Sequence, residues 1–115
     1  MTDSIETILP SLLEFRAQRE WEKFHLPKDL AAAISIEASE LQELFLWRER
    51  ESPDKVKQDQ HRMELIGDEV ADILIYLLFL SHDLDIDLPE AIKQKIEKNR
   101  AKYPAEEYRG RFREP

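Results

Sequence analysis

Two glycines in 115 residues constrain this chain more than any other feature it has. Sandwiches, barrels and Gly-rich phosphate loops need positive φ at their turns, and glycine is the residue that adopts it without steric cost. A chain almost without glycine, yet with 42% hydrophobic residues to fill a core, is expected to be all-α. Its length suits one domain with one core. The absence of cysteine excludes disulfide scaffolds, Cys-ligated zinc and thiol nucleophiles, so any nucleophile is a hydroxyl, a carboxylate or water. The start Met1-Thr2-Asp3-Ser4 is acidic with no apolar stretch behind it, and the longest apolar run, Ile73 to Leu80, is too short to span a bilayer. A cytoplasmic chain with no membrane partner is the expectation.

The net charge of −8 repels a polyphosphate backbone and argues against nucleic acid as a partner. That average hides an asymmetry. Residues 93–113 carry Lys93, Lys95, Lys98, Arg100, Lys102, Arg109, Arg111 and Arg113 against Glu97, Glu106 and Glu107, a local +5 that leaves −13 elsewhere. Acid in one region and base in another suits a metal-bound anionic ligand better than a bare polyanion, although a solvated helix face with a basic tail has the same composition.

Prolines divide the chain, because the residue before a proline avoids the helical region and proline cannot continue the ladder. A first helix is predicted from an N-cap at Ser4 to about Trp21 or Lys23, with Leu9, Leu12, Leu13 and Phe15 on its apolar side and Pro10 near its start. His25-Leu26-Pro27 breaks it, and a second helix follows from about Asp29 to Arg50. Ser52-Pro53 reads as N-cap and first helical residue of a third helix reaching Asp83, with a polar opening from Asp54 to Arg62 that is partly looped. Pro89 opens a fourth, ending before Tyr103-Pro104. Four amphipathic helices with short joints predict an antiparallel four-helix bundle over residues 1–104, followed by a loose polar tail over 105–115.

The acids fall in a pattern that this bundle makes consequential. At about 100° per residue, Leu30, Ile34, Leu41, Leu44 and Phe45 form the buried stripe of the second helix. Glu37 lies inside that stripe and Glu40 on its edge, whereas Glu43 has rotated toward solvent. On the third helix Val70, Ile73 and Leu77 define the core side, and Glu69, Asp72 and Tyr76 share one flank. A carboxylate facing a core costs several kcal/mol, on the order of its desolvation, unless it is neutralised, paired or bound to a cation. Antiparallel neighbours would set Glu37 and Glu40 against Glu69 and Asp72, the donor set that hard divalent cations take. Salt bridges to Lys or Arg at helix ends are the alternative. The third helix is also apolar all round from Ile73 to Leu80, with Ile75, Leu78 and Phe79 opposite the core side. Burial against a second copy, as a dimer or a dimer of dimers, would cover that face, as would a central place in its own bundle.

Glu37-x-x-Glu40, twenty-eight intervening residues and Glu69-x-x-Asp72 resemble the MazG-type all-α nucleoside triphosphate pyrophosphohydrolases. Within that superfamily the flanking segments are most similar to the dCTP pyrophosphatases: Arg19-Glu20-Trp21-Glu22-Lys23-Phe24-His25-x-Pro27, Glu43-Leu44-Phe45-x-Trp47, Asp72-Ile73-Leu74-Ile75-Tyr76-Leu77 and Asn99-Arg100-x-Lys102-Tyr103-Pro104. The resemblance covers about residues 5 to 104. It implies the reaction NTP + H2O → NMP + PPi, acting on dCTP or a modified dCTP, with Mg2+, or Mn2+ in its place, held by Glu37, Glu40, Glu69 and Asp72. By the same resemblance Tyr76 hydrogen-bonds near the phosphates, Lys95 and Asn99 contact phosphate and sugar together with Lys102 and Tyr103, and Trp21, His25 and Trp47 surround the base. It further implies a homo-oligomer whose neighbouring subunit completes the pocket.

Indole is a sequence-tolerant stacking surface for a base, although two tryptophans packed in a core are the commoner state. Three other readings compete. Glu22-x-x-His25 fits one element of a di-iron carboxylate bundle, a class that needs two such elements on facing helices. A non-catalytic helical interaction module would use the Ile73 to Leu80 face for a partner, but has no reason to turn four acids inward in matched pairs. Broad-specificity, dUTP-directed or phosphoribosyl-ATP-directed relatives of the same family would use the same acids on another nucleotide.

Overall fold

The computed structural model describes residues 3–111, so the opening Met1-Thr2 and the basic tail's Arg113 lie outside the described residues. The fold is all-α: helices α1 (Ile5–Gln18), α2 (Pro27–Glu43), α3 (Pro53–Val56), α4 (Gln60–Asp83), α5 (Leu88–Lys102) and α6 (Ala105–Tyr108), with a 3-10 turn at Trp21–Phe24 after α1. No strand occurs among the described residues. No described helix is long and apolar enough to cross a membrane. Residues 1–83 and 84–115 cluster as two compact units.

In the first unit the starts are set locally. Ser4 and Thr7 form a reciprocal capping box, Pro27 opens α2, and Ser52 accepts the Lys55 amide with Pro53 at the first position of α3. The ends depart from expectation. Helix α1 stops at Gln18, short of Trp21, because Glu20 adopts φ 53° and turns the chain into the 3-10 segment. Helix α2 stops at Glu43, seven residues before Arg50, and the amides of Leu44, Phe45 and Leu46 shift to carbonyls three residues back. Trp47 then takes φ 61°, a left-handed conformation that a bulky residue rarely adopts. The predicted third helix is two, α3 and α4, separated where Asp59 accepts the Arg62 amide at 3.0 Å at the head of α4.

Helix α2 packs mainly on α4, and α1 touches both α4 and the 3-10 turn. Leu30, Leu78 and Phe79 are the buried hydrophobic side chains. This reverses the expected faces of the third helix: Leu78 and Phe79 point inward, while Val70 and Leu77 are 49% and 37% exposed. The cause is α1. Arg16, itself buried, donates to both oxygens of Asp83 at 2.9 and 2.8 Å and lies 4.5 Å from the Phe79 ring centroid, drawing the C-terminal half of α4 against α1.

In the second unit Asp87 caps α5 through the Glu90 amide. The expected loose tail instead turns into α6, whose Tyr108 meets Tyr103 edge-to-face at 5.2 Å. Residues 112–115 of that tail lie outside the described residues.

Candidate active site

The α2–α4 pair sets the acids. Glu37 and Glu40 project from α2, three residues apart and so on adjacent turns of one flank, and Glu69 and Asp72 do the same on α4. One carboxylate oxygen from each of Glu37, Glu40 and Glu69 lies within 4.8 Å of the others. Asp72 is exposed and is not one of this trio, although its charge reaches Glu37 and Tyr76. Glu37 Oε2 and Glu69 Oε2 are out of water and have no hydrogen-bond partner. Like charge at this range favours neutral carboxyls: the Glu69 side chain beside it, opposed by Glu40, raises Glu37, and the Glu37 side chain raises Glu40.

Among the described residues, lysine and arginine take their carboxylate partners elsewhere, at Asp83, Glu51 and Glu97, and none is bridged to these four acids. Three clustered carboxylates with two orphaned buried oxygens and no basic partner fit a hard divalent cation, which accepts several oxygen ligands and is itself the missing positive charge. Glu22 and His25, the alternative iron-type element, belong to no cluster of three metal-ligating side chains; the one such cluster among the described residues is the Glu37–Glu40–Glu69 group.

Beside the acids runs an aromatic surface. Tyr76, one turn beyond Asp72, is half-buried, and burial followed by the charges of Glu37 and Asp72 raises its phenol above the ordinary value. Its ring meets His25 edge-on at 6.1 Å, and His25 is flanked further by Phe79 at 5.4 Å and Trp21 at 6.1 Å. Burial, then the nearby Arg16 charge, lowers His25 and so favours the uncharged imidazole, with Nδ1 buried and unpartnered. Trp21 stacks edge-to-face on Phe15 at 5.7 Å yet is 41% exposed. Neither tryptophan is a core residue. Trp47 is 99% exposed and lies past the end of α2, outside the helix expected to run on to Arg50.

Lys95, Asn99 and Lys102 are exposed on α5, Lys95 and Asn99 one turn apart, and Tyr103 caps that helix; all four belong to the second unit. Two residues beside His25 in the first unit, Arg16 and Asp83, are missed by sequence reasoning. Arginine in register with Leu12 and Leu13 on the apolar side of α1 is the signal that marks the first; nothing local marks the second.

A sequence profile of the MazG-like family matches residues 32–113. The chain belongs to the MazG-like family. The match takes in all four acids, Tyr76, Trp47 and the whole of α5. This MazG-like chain is 38% identical over 107 residues to dCTP pyrophosphatase 1 of Bos taurus, covering 93% of the chain and 63% of that protein. To dCTP pyrophosphatase 1 of Homo sapiens it is 37% identical over 102 residues, covering 89% and 60%. It thus spans about three fifths of the length of these relatives. It is also similar to the crystal structure of a pyrophosphatase from Archaeoglobus fulgidus, with a TM-score of 0.78 and 45% identity over 90% of this chain and 95% of that one.

Proposed function

We propose that this MazG-like protein hydrolyses nucleoside triphosphates to a monophosphate and pyrophosphate, with dCTP or a modified dCTP as substrate. The observation that carries the reading is the carboxylate trio with its orphaned oxygens and no basic partner. Support for the substrate comes from relatives named dCTP pyrophosphatase 1 and a fold-mate named a pyrophosphatase. Mg2+, or Mn2+ in its place, held by Glu37, Glu40, Glu69 and Asp72, would neutralise charge on the triphosphate oxygens.

The chain's own groups do the rest. Water oxygen attacks the α-phosphorus, the bond from that phosphorus to the α–β bridging oxygen breaks, and the bridging oxygen leaves with the electron pair as pyrophosphate. One carboxylate of the cluster orients the water and accepts its proton. Tyr76 donates its phenolic hydrogen toward the phosphates, a role suited to a phenol that burial holds protonated. His25 and Trp21, their rings tilted by 57° to each other, offer the base an aromatic, partly dry surface, and Trp47 offers a second one. For Lys95, Asn99, Lys102 and Tyr103 the support as phosphate and sugar contacts is the family resemblance alone. We take residues 1–104 as the working domain and the cell interior, where nucleoside triphosphates are kept, as its place of action.

A second copy completes the proposal. Val70, Leu74 and Leu77 recur at helical spacing along α4 and remain 49%, 37% and 37% exposed, a stripe that a dimer would cover.

The test is a panel of ribo- and deoxyribonucleoside triphosphates with Mg2+, scored for monophosphate and pyrophosphate. dCTP or its 5-modified forms should be consumed fastest. Release of orthophosphate or of a nucleoside diphosphate would refute the cleavage, and a faster rate on dUTP would redirect the base assignment.

A further inference from the structure

The loop from Leu44 to Ser52 carries an indole that makes no use of its own chain: Trp47 is almost wholly exposed and sits at φ 61°. Left-handed backbone at a bulky residue persists only where the surroundings over-determine it. What over-determines it here is one side chain from α4. Arg62 is 4% exposed, and its guanidinium donates from Nε to the Leu44 carbonyl at 2.9 Å and through both terminal nitrogens to the two Glu51 oxygens at 3.1 and 3.0 Å. It also lies 4.7 Å from the Phe45 ring centroid. The two anchor points flank Trp47, one at the end of α2 and one at the far side of the loop, so the arginine fixes the ends between which the indole is displayed. The pairing is tight enough to hold the Glu51 carboxyl below the ordinary carboxylate value.

We infer that Arg62, through its fork to Glu51 and its bond to the Leu44 carbonyl, is the positioning residue for Trp47 and thereby sets how firmly the nucleotide base is held. The inference rests on the proposed reading of Trp47 as a base contact. Arg62 and Glu51 themselves need touch neither substrate nor metal. They act by reducing the conformations the loop samples, so that the ordering of the indole precedes binding instead of opposing it.

Two variants loosen the clamp differently: Glu51→Ala removes both carboxylate bonds, and Arg62→Lys keeps a charge but loses the planar fork. Each is checked for intact helical circular dichroism at the assay temperature. Each should raise KM for dCTP about threefold or more with kcat within about twofold, since ground-state and transition-state binding are lost alike. In a Trp47→Ala background the same changes should have no further effect on KM, because the residue they position is gone. A separate readout needs no catalysis: in a Trp21→Phe background, where Trp47 is the sole tryptophan, Glu51→Ala should lower its fluorescence anisotropy. Losses that multiply in the Trp47→Ala background, a fall in kcat at constant KM, or unchanged anisotropy would each overturn the clamp. Trp47→Ala with unchanged KM would instead sink the base-contact reading, and the clamp's functional role with it.

Discussion

Replacing Trp47 by glycine and by alanine separates what the indole does for the fold from what it does for the ligand. The side chain is 99% exposed, so removing it forfeits almost no buried apolar area, and Trp47→Ala should change stability by less than about 0.5 kcal/mol. The backbone is another matter. At φ 61° a residue with a Cβ stands in a conformation costing about 1–2 kcal/mol, which glycine relieves, against about 0.5–1 kcal/mol of extra unfolded-state entropy for glycine. Trp47→Gly should therefore be the more stable of the two variants by about 0.5–1 kcal/mol, raising the melting midpoint by roughly 2–6 °C. Both variants lose the stacking surface, and KM for dCTP should rise about 5- to 100-fold in each with kcat little changed. Urea unfolding and initial-rate kinetics on the same preparations read the two effects independently. A glycine variant no more stable than the alanine one would refute the strain argument. Destabilisation of about 2 kcal/mol in both would mean that the indole is packed against something, and unchanged KM would remove it from the base site.

Glu40→Gln should lower turnover about 10²- to 10³-fold with the helical circular dichroism unchanged; loss of fold with activity would make the acids structural. The raised Glu37 titration has a definite sign. Its folded-state value lies above the unfolded one, so its contribution favours the fold in acid and is lost as pH rises through the folded value. In chelator, Glu37→Gln should thus gain on the parent chain as pH is raised above about 4.5, and Mg2+ should narrow that difference at neutral pH; a difference that is flat with pH sinks the like-charge account. Leu74→Glu, placed in the exposed α4 stripe, should lower the molar mass in sedimentation equilibrium while keeping the helical content, and an unchanged mass would move the copy-to-copy contact elsewhere.

The parts of this fold that short-range chemistry decides were readable, and those that a distant arginine decides were not. Ser4 and Ser52-Pro53 start helices by caps and fixed φ, interactions within about four residues, whereas Pro27, read as a break before a helix from about Asp29, is itself the first residue of α2. Most of the acid register is local in the same way: spacing of three on each helix fixes the flank, and a single helix pair then brings Glu37, Glu40 and Glu69 within reach, while Asp72, expected with them, is not one of the trio. By contrast, the end of α2 depends on Arg62 taking the Leu44 carbonyl from eighteen positions downstream. The inward face of α4 depends on Arg16 reaching Asp83 across sixty-seven positions. A helix apolar all round offers periodicity no contrast to read, which is why Leu78 and Phe79 were assigned outward and are buried.

Among the described residues, both buried arginines lie against aromatic rings that adjoin the proposed base surface: Arg16 against Phe79 beside His25, and Arg62 against Phe45 in the loop of Trp47. The carboxylates stand on helices, whose geometry is local. Trp21, His25 and Trp47 stand on turns outside the long helices, and the loop of Trp47 is spanned by the Arg62–Glu51 pair. If metal chemistry is common to a family and base choice varies within it, this division is the one that lets them vary separately, since a change at Arg16 or Arg62 can move a ring without moving an acid. The same division gives arginine on an apolar helix face a reading that charge counts miss, as the anchor of a functional turn elsewhere in the chain.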